Sequence, residues 1–585
     1  MQDTLSPNPA LGQTKPYAVA QALNQPDVRL SGNEGCAPST QLMGALGQLE
    51  ASALREYPSA KPLEARIAAK HEVGADQVIV TSGADDALYR ICQAMLGPQR
   101  AMFITSPTFE MIPRYARLTG AEVHTHDWED GPYPIDALVT HLERHPSTHV
   151  VAVVSPNNPT GATIDAATLR AIHEATPGHV LILLDHAYVE FAHEDLTALA
   201  LELGRVVVTR TFSKAWGLAG LRVGYAVGPE QVIQWLRAAG NPYAVSGPSL
   251  ALVQALFEDA QAANASMDAF VQRARGYREA MAKALTQWGA AVTRSEGNFV
   301  FARTPLAPWV SDVFAGLGLG IRTFPDKPHL SDALRISCPT DDAIMARVQG
   351  ALRALRPQVI LFDMDGVLVD VSGSYREAII QTAAHFGVEI TGEHIAQAKA
   401  QGDANNDWVL TQRLMALGGQ TRGLEEVTQV FERLYQGTPE RPGLKATETT
   451  LITRQVLEAL ARHARLGVVT GRPRADAQDF LEREGWDDLF EVVVCMEDGP
   501  AKPDPFPVAH AMEQMGASVG WMIGDTPDDI RSARAATRAH PSLHVLPLGV
   551  LAPQESGQSH VRDTLLRAGA GRVFDDLHTL DRYLQ

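Results

Sequence analysis

TRTFSKAWGLAGLRVGY (209–225) decides how the first half of the chain is read. The apolar, β-rich run RVVVTR (205–210) leads into a turn that holds Thr211, Ser213 and Lys214, and Arg222 follows eight residues after the lysine. A lysine in a Ser/Thr-rich turn at the end of a strand can condense with an aldehyde. An arginine one short loop away can grip a phosphate dianion with its forked guanidinium. Working outward, SPNNPTG (155–161) ends another strand-like run and puts Asn158 in a turn, where it can hydrogen-bond a phenolic oxygen. LLDHAY (183–188) ends a third run with Asp185. A carboxylate there can keep a pyridine nitrogen protonated, which makes the ring an electron sink. TSGADDAL (81–88) passes from strand to helix. The N–H groups of Gly83, Ala84 and Asp85 would then form an anion site at a helix N-terminus.

Taken singly, each residue reads blandly, since a lone lysine after a strand is usually a surface cation and NPTG is often only a turn. Their order and spacing carry the assignment, and one ligand accounts for all of them: pyridoxal 5′-phosphate. Lys214 takes its aldehyde, Asp185 the ring nitrogen and Asn158 the ring hydroxyl; Arg222, Ser213 and the 83–85 turn take its phosphate. With RLSGNEG (29–35), EYP (56–58), SPTFEM (106–111) and LRIS (334–337) in the same order, residues 10–355 resemble the fold-type I aminotransferases, and among them the histidinol-phosphate aminotransferase family.

That resemblance implies a large domain over about 40–245 and a small domain over about 1–39 and 246–356. It implies cofactor contacts from Tyr188 and Thr211, and Phe109 stacked on the cofactor ring where the family usually has Tyr. Tyr57 would reach the cofactor phosphate of a neighbouring subunit, so a homodimer is expected. Arg335 would hold the anionic end of the substrate, with Arg322, Tyr17 and Asn33 beside it. His186 stands where the family usually has Glu. Lys214 would also move a proton between the substrate Cα and the cofactor, with glutamate or another amino acid as amino donor.

A second alternating pattern begins right after Arg356-Pro357, with a join far too short for a flexible tether. VILFDMDGVLVD (359–370) places Asp363 and Asp365 at the mouth of an apolar run, two apart and so on one side of an extended chain. VVTGR (468–472) offers Thr470, AKPDPF (501–506) offers Lys502, and MIGDTPDDI (522–530) offers Asp525 and Asp529. Clustered carboxylates repel unless a cation lies among them, and hard oxygen ligands beside a phosphate point to Mg²⁺. These four segments, over 357–585, resemble the phosphatase branch of the haloacid dehalogenase superfamily. The resemblance implies Asp363 as nucleophile and Asp365 as acid and base. It implies Thr470 and Lys502 on the phosphoryl group, with Asp363, the Asp365 carbonyl, Asp525 and Asp529 around the metal. The helical insert at about 374–446 would be a cap that selects the alcohol.

Composition bounds the rest. A chain of 585 residues is expected to form about three or four folding units. Its 50 basic against 68 acidic residues give a net charge of −18, which disfavours nucleic acid as a partner. No 18-residue apolar run and no basic-then-apolar leader is present, so neither a membrane nor secretion is expected. Four scattered cysteines fit a reducing, cytoplasmic setting. His124 and His126 in EVHTHDW (122–128) read as polar residues alternating on a strand edge rather than as a metal pair. The expected fold is α/β throughout: a fold-type I aminotransferase, then a Rossmann-like phosphatase core with a helical cap. The expected function is amination of imidazole acetol phosphate to histidinol phosphate, followed by removal of that phosphate. Three other readings stay open at this point: unrelated phosphorylated substrates for the two modules, a non-catalytic second module, and a decarboxylase in place of the aminotransferase.

Overall fold

A computed structural model describes residues 8–12, 16, 25–401, 406–555 and 557–584 of the chain. Contacts divide it into two compact units, one of residues 1–19, 30–304 and 322–345, the other of 20–29, 305–321 and 346–585.

The first unit is built on a seven-stranded sheet. Its strands are β1 (Val78–Thr81), β2 (Ala101–Ser106), β3 (Glu122–Asp127), β4 (Thr148–Val154), β5 (Leu181–Asp185), β6 (Val206–Thr211) and β7 (Gly224–Val227), in the order β1-β7-β6-β5-β4-β2-β3. β1, β5 and β6 are buried at every position, and each opens on an unbroken apolar run rather than an alternating one before it ends on polar residues. The expected parallel sheet needs one correction: β7 runs antiparallel to both β1 and β6. The chain returns from β6 to β7 through residues 212–223 without a crossover helix, and a short connection of that kind joins antiparallel strands. This return loop carries Lys214 and Arg222. Helix α1 (Gly83–Met95) starts directly after β1. A Cβ on Gly224 would lie 2.6 Å from the amide nitrogen of Ala84, so glycine lets β7 pass close under the start of α1. β3 is the edge strand, and α2 (Ile135–Arg144) follows it in the chain. A smaller antiparallel sheet includes Phe299–Arg303, Ala333–Ser337 and Arg322–Thr323, with Arg322 directly opposite Arg335.

The second unit holds a six-stranded, fully parallel sheet. β8 (Val359–Phe362) is flanked by β9 (Arg465–Val469) and β11 (Val519–Gly524); β10 (Phe490–Val494), β12 (His544–Val550) and β13 (Arg572–Phe574) complete the order β10-β9-β8-β11-β12-β13. The chain leaves β8 to one side and later returns on the other. That switch opens a crevice at the strands' carboxyl ends, the usual ligand position in such sheets. Helices α3 (Tyr375–His385), α4 (Gly392–Gln401), α5 (Asp407–Leu417) and α6 (Leu424–Gln436) form the insert. Its two connections to the core pair as short antiparallel strands, Val369 with Thr450 and Asp370 with Thr449. The helix Ala307–Gly316 also belongs to this unit. Its fully buried Trp309 packs on Trp521 at 5.3 Å and on Tyr583 at 4.5 Å, and Arg572 Nε donates to Asp312 at 2.6 Å. Among the described residues no helix is long and apolar enough to cross a membrane, and all four cysteines are free thiols.

Candidate active sites

In the first unit the strand ends and the return loop bring most of the singled-out residues together. Asp185, the last residue of β5, is buried; Thr209 Oγ1 donates to it at 2.9 Å and the Ala187 amide at 3.2 Å. Burial raises its carboxyl to about 6 despite those donors, so the carboxylate lacks a full counter-charge. A protonated ring nitrogen is the kind of group that would supply one. Lys214 Nζ donates to the Gly32 carbonyl at 2.8 Å and stands 5.6 Å from the centroid of Tyr188. Tyr188 OH accepts from Asn33 Nδ2 at 3.0 Å, and Asn33 is fixed in turn by Ser337 and its neighbours.

The phosphate side is equally distinct. Arg222 adopts a left-handed backbone, φ 52°, and its Nη2 donates to Asp85 at 2.9 Å. A Cβ on Gly83 would lie 2.7 Å from that same nitrogen. The guanidinium therefore lies against the first turn of α1, whose N–H groups have no earlier carbonyls to bond. Ser213 is buried with Thr211, and their hydroxyls are 2.8 Å apart. Arg335 is buried and donates to Ser31 O at 2.5 Å and to Asn158 Oδ1. Cation donors, a helix start and a buried acid thus fit the three polar parts of pyridoxal phosphate.

The other residues singled out make contacts of their own. Tyr57 is 83% exposed and stacks on Tyr243, with ring centroids 4.6 Å apart. Phe109 is half-buried against the core beyond β2. The Arg322 guanidinium sits 5.6 Å from the ring of Phe324. Buried His186 directs Nδ1 at the Ser155 carbonyl, 2.5 Å away, and burial lowers its pKa to about 4, so it is a neutral packing group. Tyr17 lies outside the described residues.

In the second unit Asp363 follows β8, Thr470 follows β9 and Asp525 follows β11, side by side at the carboxyl ends of neighbouring strands. Buried Lys502 donates to Asp363 Oδ1 at 2.8 Å and to the Val469 carbonyl at 3.1 Å, and pairs with Asp529 Oδ1 at 2.5 Å. Asp529 also forms a capping box with Thr526 at the start of α7 (Pro527–Ala539). Burial pushes the Asp363 carboxyl above its usual range; Lys502 opposes this, while Asp529 and Asp365 add like charge. Burial works against the Lys502 ammonium too, but the two carboxylates outweigh it and hold its pKa above normal.

Oxygens of Asp363, Asp525 and Asp529 lie within 4.8 Å of one another, a donor set that suits a small hard cation. Gly366, at φ 75°, permits the turn that brings Asp525 close, because a Cβ there would run into Asp525 Oδ2. The Asp365 side chain is not part of that donor set: Arg472 Nε donates to its Oδ1 at 2.6 Å.

Arg472 and Glu448 were not singled out from the sequence. Arg472 is 1% exposed and joins Asp365 to Glu448, with Nη2 to Oε1 at 3.0 Å and Nη1 to Oε2 at 3.2 Å. Glu448 also accepts from Ser374 at 2.9 Å and Tyr435 at 3.1 Å, both from the helical insert. The arginine lies inside VVTGR, and its place two residues after Thr470 was the available signal.

Comparison with known proteins assigns a family to each half of the chain. Residues 18–352 match the family model for aminotransferase class I and II, and residues 357–537 match that for haloacid dehalogenase-like hydrolase. A histidinol-phosphate aminotransferase from Jannaschia sp. is 33% identical over 339 residues, 56% of this chain and 91% of that protein. An imidazoleglycerol-phosphate dehydratase from Phytophthora nicotianae is 43% identical over 228 residues, 38% of this chain and 48% of that protein, so the chain spans about half the length of that relative. The crystal structure of histidinol-phosphate aminotransferase from Sinorhizobium meliloti in complex with pyridoxal-5′-phosphate aligns with a TM-score of 0.53 at 21% identity, over 61% of this chain and all of that one, which is a likeness of fold. The chain belongs to the class I and II aminotransferases, with a pyridoxal-phosphate-dependent fold, and carries a haloacid dehalogenase-like hydrolase domain C-terminal to it.

Proposed function

We propose that this chain performs two consecutive reactions on one metabolite: amination of imidazole acetol phosphate to histidinol phosphate, then hydrolysis of that ester to histidinol. The observation that carries the reading is the presence, in one chain, of a lysine–aspartate–arginine set suited to pyridoxal phosphate and a four-aspartate, one-lysine set suited to phosphoryl transfer. The names of both relatives support the substrate, since each refers to a phosphate ester of histidine-type chemistry.

In the first reaction pyridoxal phosphate, when bound, supplies an electron sink for a carbanion at the substrate Cα. Asp185 holds the proton on the ring nitrogen, and Asn158 holds the ring hydroxyl. Arg222, Ser213, Thr211 and the Gly83–Ala84–Asp85 turn hold the phosphate. Lys214, released from the Gly32 carbonyl, carries a proton to and from the substrate Cα. Arg335, with Arg322 opposite it, binds the anionic end of the substrate, and glutamate donates the amino group. Tyr57, exposed on this chain, would reach the cofactor phosphate of a second copy in a homodimer.

In the second reaction the Asp363 carboxylate attacks phosphorus and the ester P–O bond breaks. Asp365 gives its proton to the leaving alkoxide, then takes one from the water that cleaves the acyl phosphate. Thr470 and Lys502 hold the phosphoryl oxygens. Mg²⁺, when bound by Asp363, Asp525, Asp529 and the Asp365 carbonyl, would neutralise charge on the transferring group.

The test is to give the purified chain histidinol phosphate with Mg²⁺ and, separately, glutamate with imidazole acetol phosphate. Phosphate release in the first assay and 2-oxoglutarate in the second are expected. Phosphate release from other esters but never from histidinol phosphate would end the consecutive-step reading.

A further inference from the structure

Away from both sites, three histidines converge at the edge of the seven-stranded sheet. His124 lies on the edge strand β3. His141 lies in the last turn of α2 and His145 is its C-cap. The ring centroids are 4.2 Å apart for His124 and His145, 4.6 Å for His141 and His145, and 4.9 Å for His124 and His141. One nitrogen from each ring lies within 4.8 Å of those of the other two.

Local geometry explains the convergence. His141 and His145 are four residues apart and so share one helix face. That H-x₃-H spacing is one that zinc sites use. Glu122 precedes His124 by two residues on β3 and so lies on the same side of the strand. Its Oε2 stands 3.3 Å from His124 Nε2. His141 Nε2 is 3.0 Å from Thr148 Oγ1, a contact that holds the ring in place. Phe103 packs against the same ring, with centroids 4.9 Å apart. None of these residues takes part in either proposed reaction. His126, which the sequence sets beside His124, is exposed and outside the group.

We propose that His124, His141 and His145 bind one divalent transition-metal ion of the zinc type, with the Glu122 carboxylate or a water as fourth ligand. Imidazole nitrogens favour zinc-like ions, whereas Mg²⁺ prefers oxygen ligands, so this site and the carboxylate cluster select different metals. Ligation from both β3 and α2 pins the helix to the exposed sheet edge. The site is a structural fastening, independent of both reactions.

The test uses tag-free, cofactor-loaded protein, stripped with a chelator and titrated with Co²⁺. One intensely absorbing cobalt per chain is expected, with the visible bands of four-coordinate cobalt, displaced by equimolar Zn²⁺. Six-coordinate cobalt on the carboxylate cluster absorbs only weakly and is distinguishable. His124→Gln and His145→Gln should each weaken the intense site by more than about 100-fold, beyond the loss expected for an outer-shell partner. His126→Gln should leave it unchanged. Visible circular dichroism of the bound cofactor confirms that each variant is folded. No intense band in the wild-type protein overturns the proposal, whatever the variants do. So does a band that persists undiminished in both His124→Gln and His145→Gln.

Discussion

The two candidate sites hold their charges differently before any ligand arrives. In the aminotransferase site the working groups rest on nearby oxygens: Lys214 on the Gly32 carbonyl and Arg222 on Asp85, the latter pair side by side with 48% and 41% of their side chains exposed. In the phosphatase site the cations are clamped and buried, Lys502 between Asp363 and Asp529, Arg472 between Asp365 and Glu448. The difference follows from where the chemistry resides. A bound cofactor carries the reactive group in the first, so the chain need only offer a receptive set of donors and a buried acid. In the second proposed reaction a side chain is itself the nucleophile, which calls for surroundings set in advance.

The largest effect separates the two sites outright. Lys214→Ala should lower transamination by about a thousandfold or more, and Asp363→Asn should do the same to phosphate release. Each variant should keep the other activity within about twofold. Stripping divalent ions should copy Asp363→Asn and spare transamination. A variant that silences both reactions breaks the comparison.

Next comes the clamp. Arg472→Met leaves Glu448 and Asp365 without their buried cation. The second unit should lose about 3–5 kcal/mol of stability, read by denaturant unfolding. Arg222→Met, at a half-exposed pair, should cost at most about 1 kcal/mol while abolishing tight cofactor binding.

Asp185 gives a smaller, pH-dependent effect. Its carboxyl is raised to about 6 in the folded chain from an ordinary 3.8, so the folded state binds more protons between those values. Its contribution to the stability of the cofactor-free protein should therefore be greatest below pH 4 and be lost as pH rises through 6, by about 3 kcal/mol at most. Asp185→Asn should flatten that part of the profile. A profile unchanged by the substitution contradicts the burial argument. The smallest effect belongs to Phe109→Tyr, which adds a hydroxyl but keeps the ring face; cofactor affinity should move by no more than about threefold.

Much of this was legible in the sequence because both sites hang on strand ends. Apolar runs such as LILLD and VILFD mark buried strands, and the polar residue at each run's end marks the site. Strand direction was not legible: GYAV reads as a buried strand whichever way it runs, and only the return through 212–223 makes β7 antiparallel. The Arg472–Asp365 contact spans 107 residues and the Arg472–Glu448 contact 24, so no local pattern announces either. The histidine cluster is illegible for a related reason: the sequence sets His126 beside His124, whereas the rings that converge on His124 lie one helix further along the chain.

The most direct test of the two-reaction account is a single time course on the whole chain, given imidazole acetol phosphate, glutamate and Mg²⁺. The account predicts that 2-oxoglutarate appears first and inorganic phosphate follows it one for one. Asp363→Asn should halt the reaction at histidinol phosphate, and Lys214→Ala should form no 2-oxoglutarate yet still cleave added histidinol phosphate. Wild-type protein that makes 2-oxoglutarate while histidinol phosphate accumulates uncut would contradict it.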